Sequence, residues 1–270
     1  MGEGIKKAYG YLATLYLPLW VLLATVLAGC AQQYYNVATE QDEIYFYSSD
    51  KEAKIGKSLS YQVEKMYKPD NDPLVQKQVD EIGQKIVSVC DRREIYYYFK
   101  VLEKDQMNAF ALPGGYVYVF QELWDKIKDD PSKIAAVLAH EIGHIAARHS
   151  IKRMQSSTGT NVLTVLVAAS SNIDSYSKQK AIIGINELIM AYSREDELEA
   201  DKLAVKYLNQ AGFKVSSIID VLKILQDSDR ARPIGPAHWR THPYITERIG
   251  LVRSYLDKGN IKFNDYINSQ

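Results

Sequence analysis

Apolar and polar positions recur along this chain with two different periods, and the switches between them mark out its elements. Residues 53–67 and 73–89 repeat apolar positions every three to four residues, the spacing that gathers them on one face of a helix. Lys68-Pro69-Asp70-Asn71-Asp72-Pro73, with two prolines, separates these helices. Residues 95–102 and 108–120 then read as strands, the latter as two strands around the turn signal Pro113-Gly114-Gly115, so a small sheet is expected. A helix over 121–128 stops at Asp129-Asp130-Pro131-Ser132, where Ser132 is placed to cap a helix over 133–149. His149 falls in the last turn of that helix, where a cation suits the dipole. Further on, a short apolar helix over 162–169 lies between polar links at 155–160 and 170–175 and reads as a lid over a cleft. A long helix over 179–210 ends at Ala211-Gly212, and two or three more helices follow. The expected class is α+β, mainly helical with a small β-sheet.

Composition narrows the picture. With 270 residues, 46% of them hydrophobic, the chain can bury a sizeable core. Its 33 Lys and Arg against 33 Asp and Glu leave no basic bias toward nucleic acid. Lys6 and Lys7, an apolar stretch over 11–28 and then Leu27-Ala28-Gly29-Cys30 have the form of a bacterial lipoprotein leader, with Cys30 as the lipidated first residue of the mature chain. The alternative is an uncleaved membrane anchor. Three segments are therefore expected: a signal peptide at 1–29, a polar lipidated tether at 30–52 and one domain at 53–270. No internal apolar run reaches the roughly 18 to 20 residues needed to cross a bilayer. Cys90 remains as the other cysteine and reads as a packing residue. The 20 tyrosines read mainly as residues at the edge of a core.

Chemistry concentrates in His140-Glu141-Ile142-Gly143-His144. Residues four apart on a helix leave the same face, so both imidazoles can grip one ion, with Glu141 beside them as a base for water acidified by the metal. The plain alternative is a helix carrying ordinary partly buried histidines. A hydrolytic zinc wants a third protein ligand. Glu197 and Asp201, again four apart, offer one carboxylate for the metal and one to hydrogen-bond a ligating imidazole, unless they simply line a solvated acidic face. The strand at Asn108, Ala109, Phe110 and Ala111 could pair with an extended peptide, or be only a hairpin. His242, in Thr241-His242-Pro243, is either a surface residue or one that reaches the metal's open position or the substrate carbonyl.

Together, HEIGH, the helix containing SREDELEAD, NAFALPGG and the late THP resemble the gluzincin metallopeptidases that include the heat-shock protease HtpX and the CAAX prenyl protease, in particular their periplasmic lipoprotein branch. The likeness runs over about 55–256. It implies one zinc per chain held by His140, His144 and Glu197, with Glu141 as base, Asp201 as partner of a ligating histidine, and 108–111 as substrate-pairing edge strand. His242 would be a self-inhibitory fourth ligand or an oxyanion contact. HtpX and the prenyl protease span membranes several times, and one subgroup of the lipoprotein branch carries a helical-repeat domain after the protease; neither feature is matched here. The resulting expectation is a zinc endopeptidase of the bacterial periplasm, acting on unfolded or misassembled envelope proteins. Its N-terminal lipid would sit in a membrane, with Ala31 after Cys30 favouring the inner face of the outer membrane. The rival expectation is a lipid-anchored chaperone or assembly factor whose zinc is structural.

Overall fold

The computed structural model describes residues 32–156, 192–231, 242 and 244–257. The leader, Cys30 and the apolar helix expected at 162–169 lie outside the described residues. Strand β1 (Gln32–Asn36) pairs antiparallel with β2 (Gln41–Tyr45) through a turn in which Glu40 has φ 57°. The stretch expected as a polar tether is thus folded over these residues. Asn36 and Tyr45 turn inward, and Tyr45 packs with Ile55, Leu59 and Val63.

Those three residues form the apolar stripe of α1 (Ser49–Met66), whose first turn carries Asp50 and Glu52 where negative charge suits the dipole. Ser48 caps the helix by accepting from the Lys51 amide. Helix α2 (Pro73–Val87) starts with Asp72 as cap and proline at its first position, the arrangement in which proline's missing N–H costs nothing.

Three strands follow: β3 (Tyr98–Leu102), β4 (Ala109–Leu112) and β5 (Tyr116–Phe120). They lie in the order β3-β5-β4, with β3 parallel to β5 and β4 antiparallel to it across the Pro113-Gly114-Gly115 turn. Strand alternation sorts the side chains onto two cores. Val101, Ala109, Ala111, Val117 and Val119 join one, whereas Leu102, Phe110, Leu112, Tyr118 and Phe120 join that of α1.

After α3 (Gln121–Ile127), the central helix α4 (Pro131–Ala146) is buried from Ile134 to Ala146. Its cap is Asp130, which accepts from the amides of Ser132 and Lys133; Ser132, the expected cap, instead accepts at its hydroxyl from the Lys214 amide. The helix also ends earlier than its periodicity implied. Arg148 takes φ 56°, and His149 opens a new helix, α5 (His149–Ser156). Helix α6 (Arg194–Gln210) begins at a capping box formed by Ser193 and Asp196, so the described ligand helix starts well after residue 179. It ends before Gly212, whose φ of 72° fits the expected glycine stop. Helices α7 (Ser217–Ala231) and α8 (Ile245–Asp257) pack together, α7 against α4 and α8 against α6. Among the described residues, no helix is long and apolar enough to cross a membrane.

Candidate metal centre

His140 and His144 leave α4 on successive turns, and their Nε2 atoms stand 3.1 Å apart. Helix α6 packs along α4 and aims the fully buried Glu197 and Asp201 at them. Glu197 Oε1 lies 3.5 Å from His144 Nε2 and Oε2 lies 3.5 Å from His140 Nε2. His242 completes the group, its Nδ1 being 3.2 Å from His140 Nε2 and 2.9 Å from Glu197 Oε1. Donor atoms of His140, His144, Glu197 and His242 all lie within 4.8 Å of one another. Tetrahedral zinc, with bonds of about 2.0–2.1 Å, sets its donors about 3.3 Å apart. The distances here bracket that spacing, and imidazole and carboxylate donors suit zinc, so the residues fit the ion.

The surroundings fix these donors. Asp201 Oδ1 lies 2.9 Å from His140 Nδ1, which leaves Nε2 for the centre. Arg248 of α8 donates to Asp201 at 2.7 and 2.9 Å and to the His242 carbonyl at 3.3 Å, and its Nη1 forms an ion pair with Glu197 Oε2 at 2.9 Å. Burial would raise the carboxyls of Glu197 and Asp201, but both are held below the ordinary range, Glu197 by His242 and Arg248 and Asp201 by Arg248. At His140, burial and Arg248 oppose protonation, yet Asp201 and Glu197 outweigh them and raise its pKa to about 9. Burial drives His144 the other way, well below its usual value.

Glu141 stands beside the cluster, next to His242. It is 2% exposed, its Oε2 has no hydrogen-bond partner among the described residues, and its Oε1 sits 3.4 Å from His242 Nε2. Burial raises its carboxyl, as a proton acceptor working near neutral pH requires. Beside it opens an apolar cavity of ≈ 50 Å³ walled by Ala136, Val137, Val221, Leu222, Leu225 and Ile245. Of the expected substrate strand, Asn108 and Ala109 line this cavity. The Phe110 side chain is buried on the opposite face of the sheet, and Ala111 packs in the α4 core. Strand β4 stands at the edge of the three-stranded sheet and packs on α4, the placement expected of it.

Sequence reasoning brought His140, Glu141, His144, Glu197, Asp201 and His242 together, and the structure does the same. It missed Arg248 and His149. Arg248 carried a signal: it falls between Ile245, Ile249 and Val252, so a charge sits on the apolar stripe of its helix, where only a paired charge is stable. His149 looked like a helix-end residue because neither glycine nor proline marks the break at Arg148.

Two histidines four apart on one helix, a glutamate between them and a glutamate from a second helix form a donor set of the kind that zinc metallopeptidases use. The chain belongs to peptidase family M48, whose family model matches residues 73–256. It is similar to the beta-barrel assembly-enhancing protease of Escherichia coli (strain K12), with 27% identity over 192 residues that cover 68% of this chain and 39% of that protein. It is also similar to the metalloprotease LoiP of Escherichia coli (strain K12), 28% identical over 61% of this chain and 64% of that protein. The mitochondrial metalloendopeptidase OMA1 of Schizosaccharomyces pombe is 28% identical over 68% of this chain and 54% of that protein. The chain thus spans about two fifths of the first of these relatives and under two thirds of the other two.

Proposed function

We propose that this chain is a zinc-dependent endopeptidase in which His140, His144 and Glu197 hold the ion and Glu141 moves the proton. The observation that carries this reading is the buried Glu141 carboxylate, whose Oε2 is unpartnered beside a donor set spaced for zinc. A purely structural zinc would leave that costly group without a role. Zinc bound here would lower the pKa of water and polarise the scissile carbonyl. Glu141 then accepts the proton of the attacking water and returns it to the leaving amine. Asp201 keeps His140 in the tautomer that presents Nε2, and Arg248 keeps Glu197 and Asp201 ionised. With its Nδ1 at the fourth corner, His242 occupies the place water needs, so we read the described state as latent. Substrate backbone would pair along β4, and an apolar side chain next to the scissile bond would enter the cavity.

The substrates we propose are unfolded or misassembled proteins of the bacterial envelope. The name of the beta-barrel assembly-enhancing protease and the leader pattern ending at Cys30 support this. A mitochondrial protease among the similar proteins means that family membership alone chooses no compartment, so the periplasm rests on the leader. Lipidation of Cys30, with Ala31 after it, places the enzyme on the inner face of the outer membrane in this reading. The test is zinc content together with casein hydrolysis by the full-length protein and its Glu141→Gln variant. One zinc per chain in both, with cleavage lost only in the variant, is expected. Zinc in both with no cleavage by either, nor by a His242→Ala variant freed of the blocking contact, would replace the protease with a chaperone.

A further inference from the structure

His140 is steadied from behind by a carboxylate, and His144 is steadied differently. Its Nδ1 lies 2.8 Å from Nδ1 of His149, whose Nε2 lies 3.0 Å from Glu199 Oε2 and 3.4 Å from Asp196 Oδ1. His144 and His149 are each 1% exposed, so water does not compete for these contacts. Two ring nitrogens this close hold one proton between them. Beside two carboxylates, Nε2 of a neutral His149 carries its proton and donates to Glu199. Its Nδ1 is then an acceptor, and the shared proton belongs to His144 Nδ1. That leaves the lone pair of His144 on Nε2, facing the donor cluster.

The backbone goes to some length to build this contact. Arg148 takes φ 56°, a conformation that costs a non-glycine residue about 1 kcal/mol or more. It is held there by Glu52, which accepts from its guanidinium at 2.9 and 3.1 Å, and by the Tyr47 carbonyl at 2.8 Å. The turn swings His149 under His144, while the ring of Tyr192 stacks on His144 at 3.9 Å. Without the turn, α4 would run on and His149 would lie on another face of the helix.

We propose that His149, anchored by Glu199, is a positioning residue that sets the tautomer and ring orientation of the metal ligand His144. The proposal rests on the reading of His144 as a zinc ligand. Partners of this kind are worth about 10- to 100-fold in metal affinity.

The experiment measures zinc affinity by chelator competition, and the visible spectrum of the cobalt-substituted form, in the full-length protein. His149→Phe should weaken zinc about 10- to 100-fold and alter the cobalt spectrum. His149→Asn, whose side-chain oxygen can accept from His144 Nδ1–H, should recover most of that loss. Glu199→Gln, at a side chain 30% exposed and therefore safe for folding, should weaken zinc by a smaller factor. Wild-type affinity and spectrum in His149→Phe, alongside loss of zinc in His144→Ala, would overturn this proposal alone. Equal losses in the Phe and Asn variants would also overturn it, because they would show a packing role. A wild-type protein that takes up no zinc would overturn the functional reading and this proposal together.

Discussion

Gly143 faces the backbone of Ala200 so closely that a Cβ on Gly143 would stand 2.9 Å from the Ala200 carbonyl oxygen and 3.2 Å from its Cα. Gly143 lies just before His144, and Ala200 lies between Glu197 and Asp201. The pair is therefore the point where the two ligand-bearing helices touch. Gly143→Ala should force α4 and α6 apart, with a stability loss of about 1–3 kcal/mol from overpacking. Zinc affinity should fall with it, because Glu197 retreats from the histidines. Thermal unfolding of the metal-free protein and zinc titration check the two effects separately, and unchanged zinc binding would contradict the expected shift.

Arg248 is the buried cation that Glu197 and Asp201 share. Arg248→Met would leave Asp201 and Glu197 in the interior with His140 as their shared cation and should cost about 3–5 kcal/mol of stability. Arg248→Lys should recover little of this, since a single ammonium cannot reproduce the paired contacts to Asp201. Denaturant unfolding of the metal-free variants measures it; full rescue by lysine would argue against the fork geometry.

Glu52 ties α1 to Arg92, Arg148 and the turn between β4 and β5. It accepts from Arg92 at 2.8 and 2.9 Å, from Arg148 at 2.9 Å and from the Gly114 amide at 3.2 Å. Burial would raise its carboxyl, but Arg92, Arg148 and the Gly114 amide together hold it below its ordinary 4.5. A depressed folded-state pKa means that the stabilisation is complete above about pH 4.5 and is lost as pH falls through the folded value. Glu52→Gln should cost about 3–5 kcal/mol at neutral pH. It should also flatten the loss of stability as pH falls below about 5. Unfolding free energies of both proteins across that range are the check, and parallel curves would exclude Glu52 as a source of acid sensitivity.

If His242 blocks the fourth position, His242→Ala should bind zinc and cleave casein faster than wild type. Each ~1.4 kcal/mol by which the contact favours the closed state would appear as about a tenfold gain. A fall in turnover with unchanged zinc content would instead give His242 the oxyanion role.

How much of this was legible in the chain depended on the sequence range of each contact. His140 with His144 and Glu197 with Asp201 are four apart on helices, so local geometry alone told which way they face. Joining them to His242 needed the likeness to a known family, because no local rule brings residues 102 apart together. The hairpin of β1 and β2 was hidden by its polar composition and a turn through Glu40 that lacks glycine. The break at Arg148 was hidden too, since it is imposed by tertiary contacts with Glu52 and Tyr47 rather than by a breaker residue. The parallel pairing of β3 with β5 is likewise a long-range choice, made by packing on α4 and α1.

The donors at the centre come from α4, from α6 and from the segment just before α8, so an ion held there fastens three distant parts of the chain at one point. An ion that bound His140 and His242 together would close a loop between residues 102 apart, and its binding would offset the entropy lost in closing it. Metal binding would then support the docking of the C-terminal part of the protein as well as the proposed chemistry: without zinc, α8 would be held to α6 by Arg248 and side-chain packing alone.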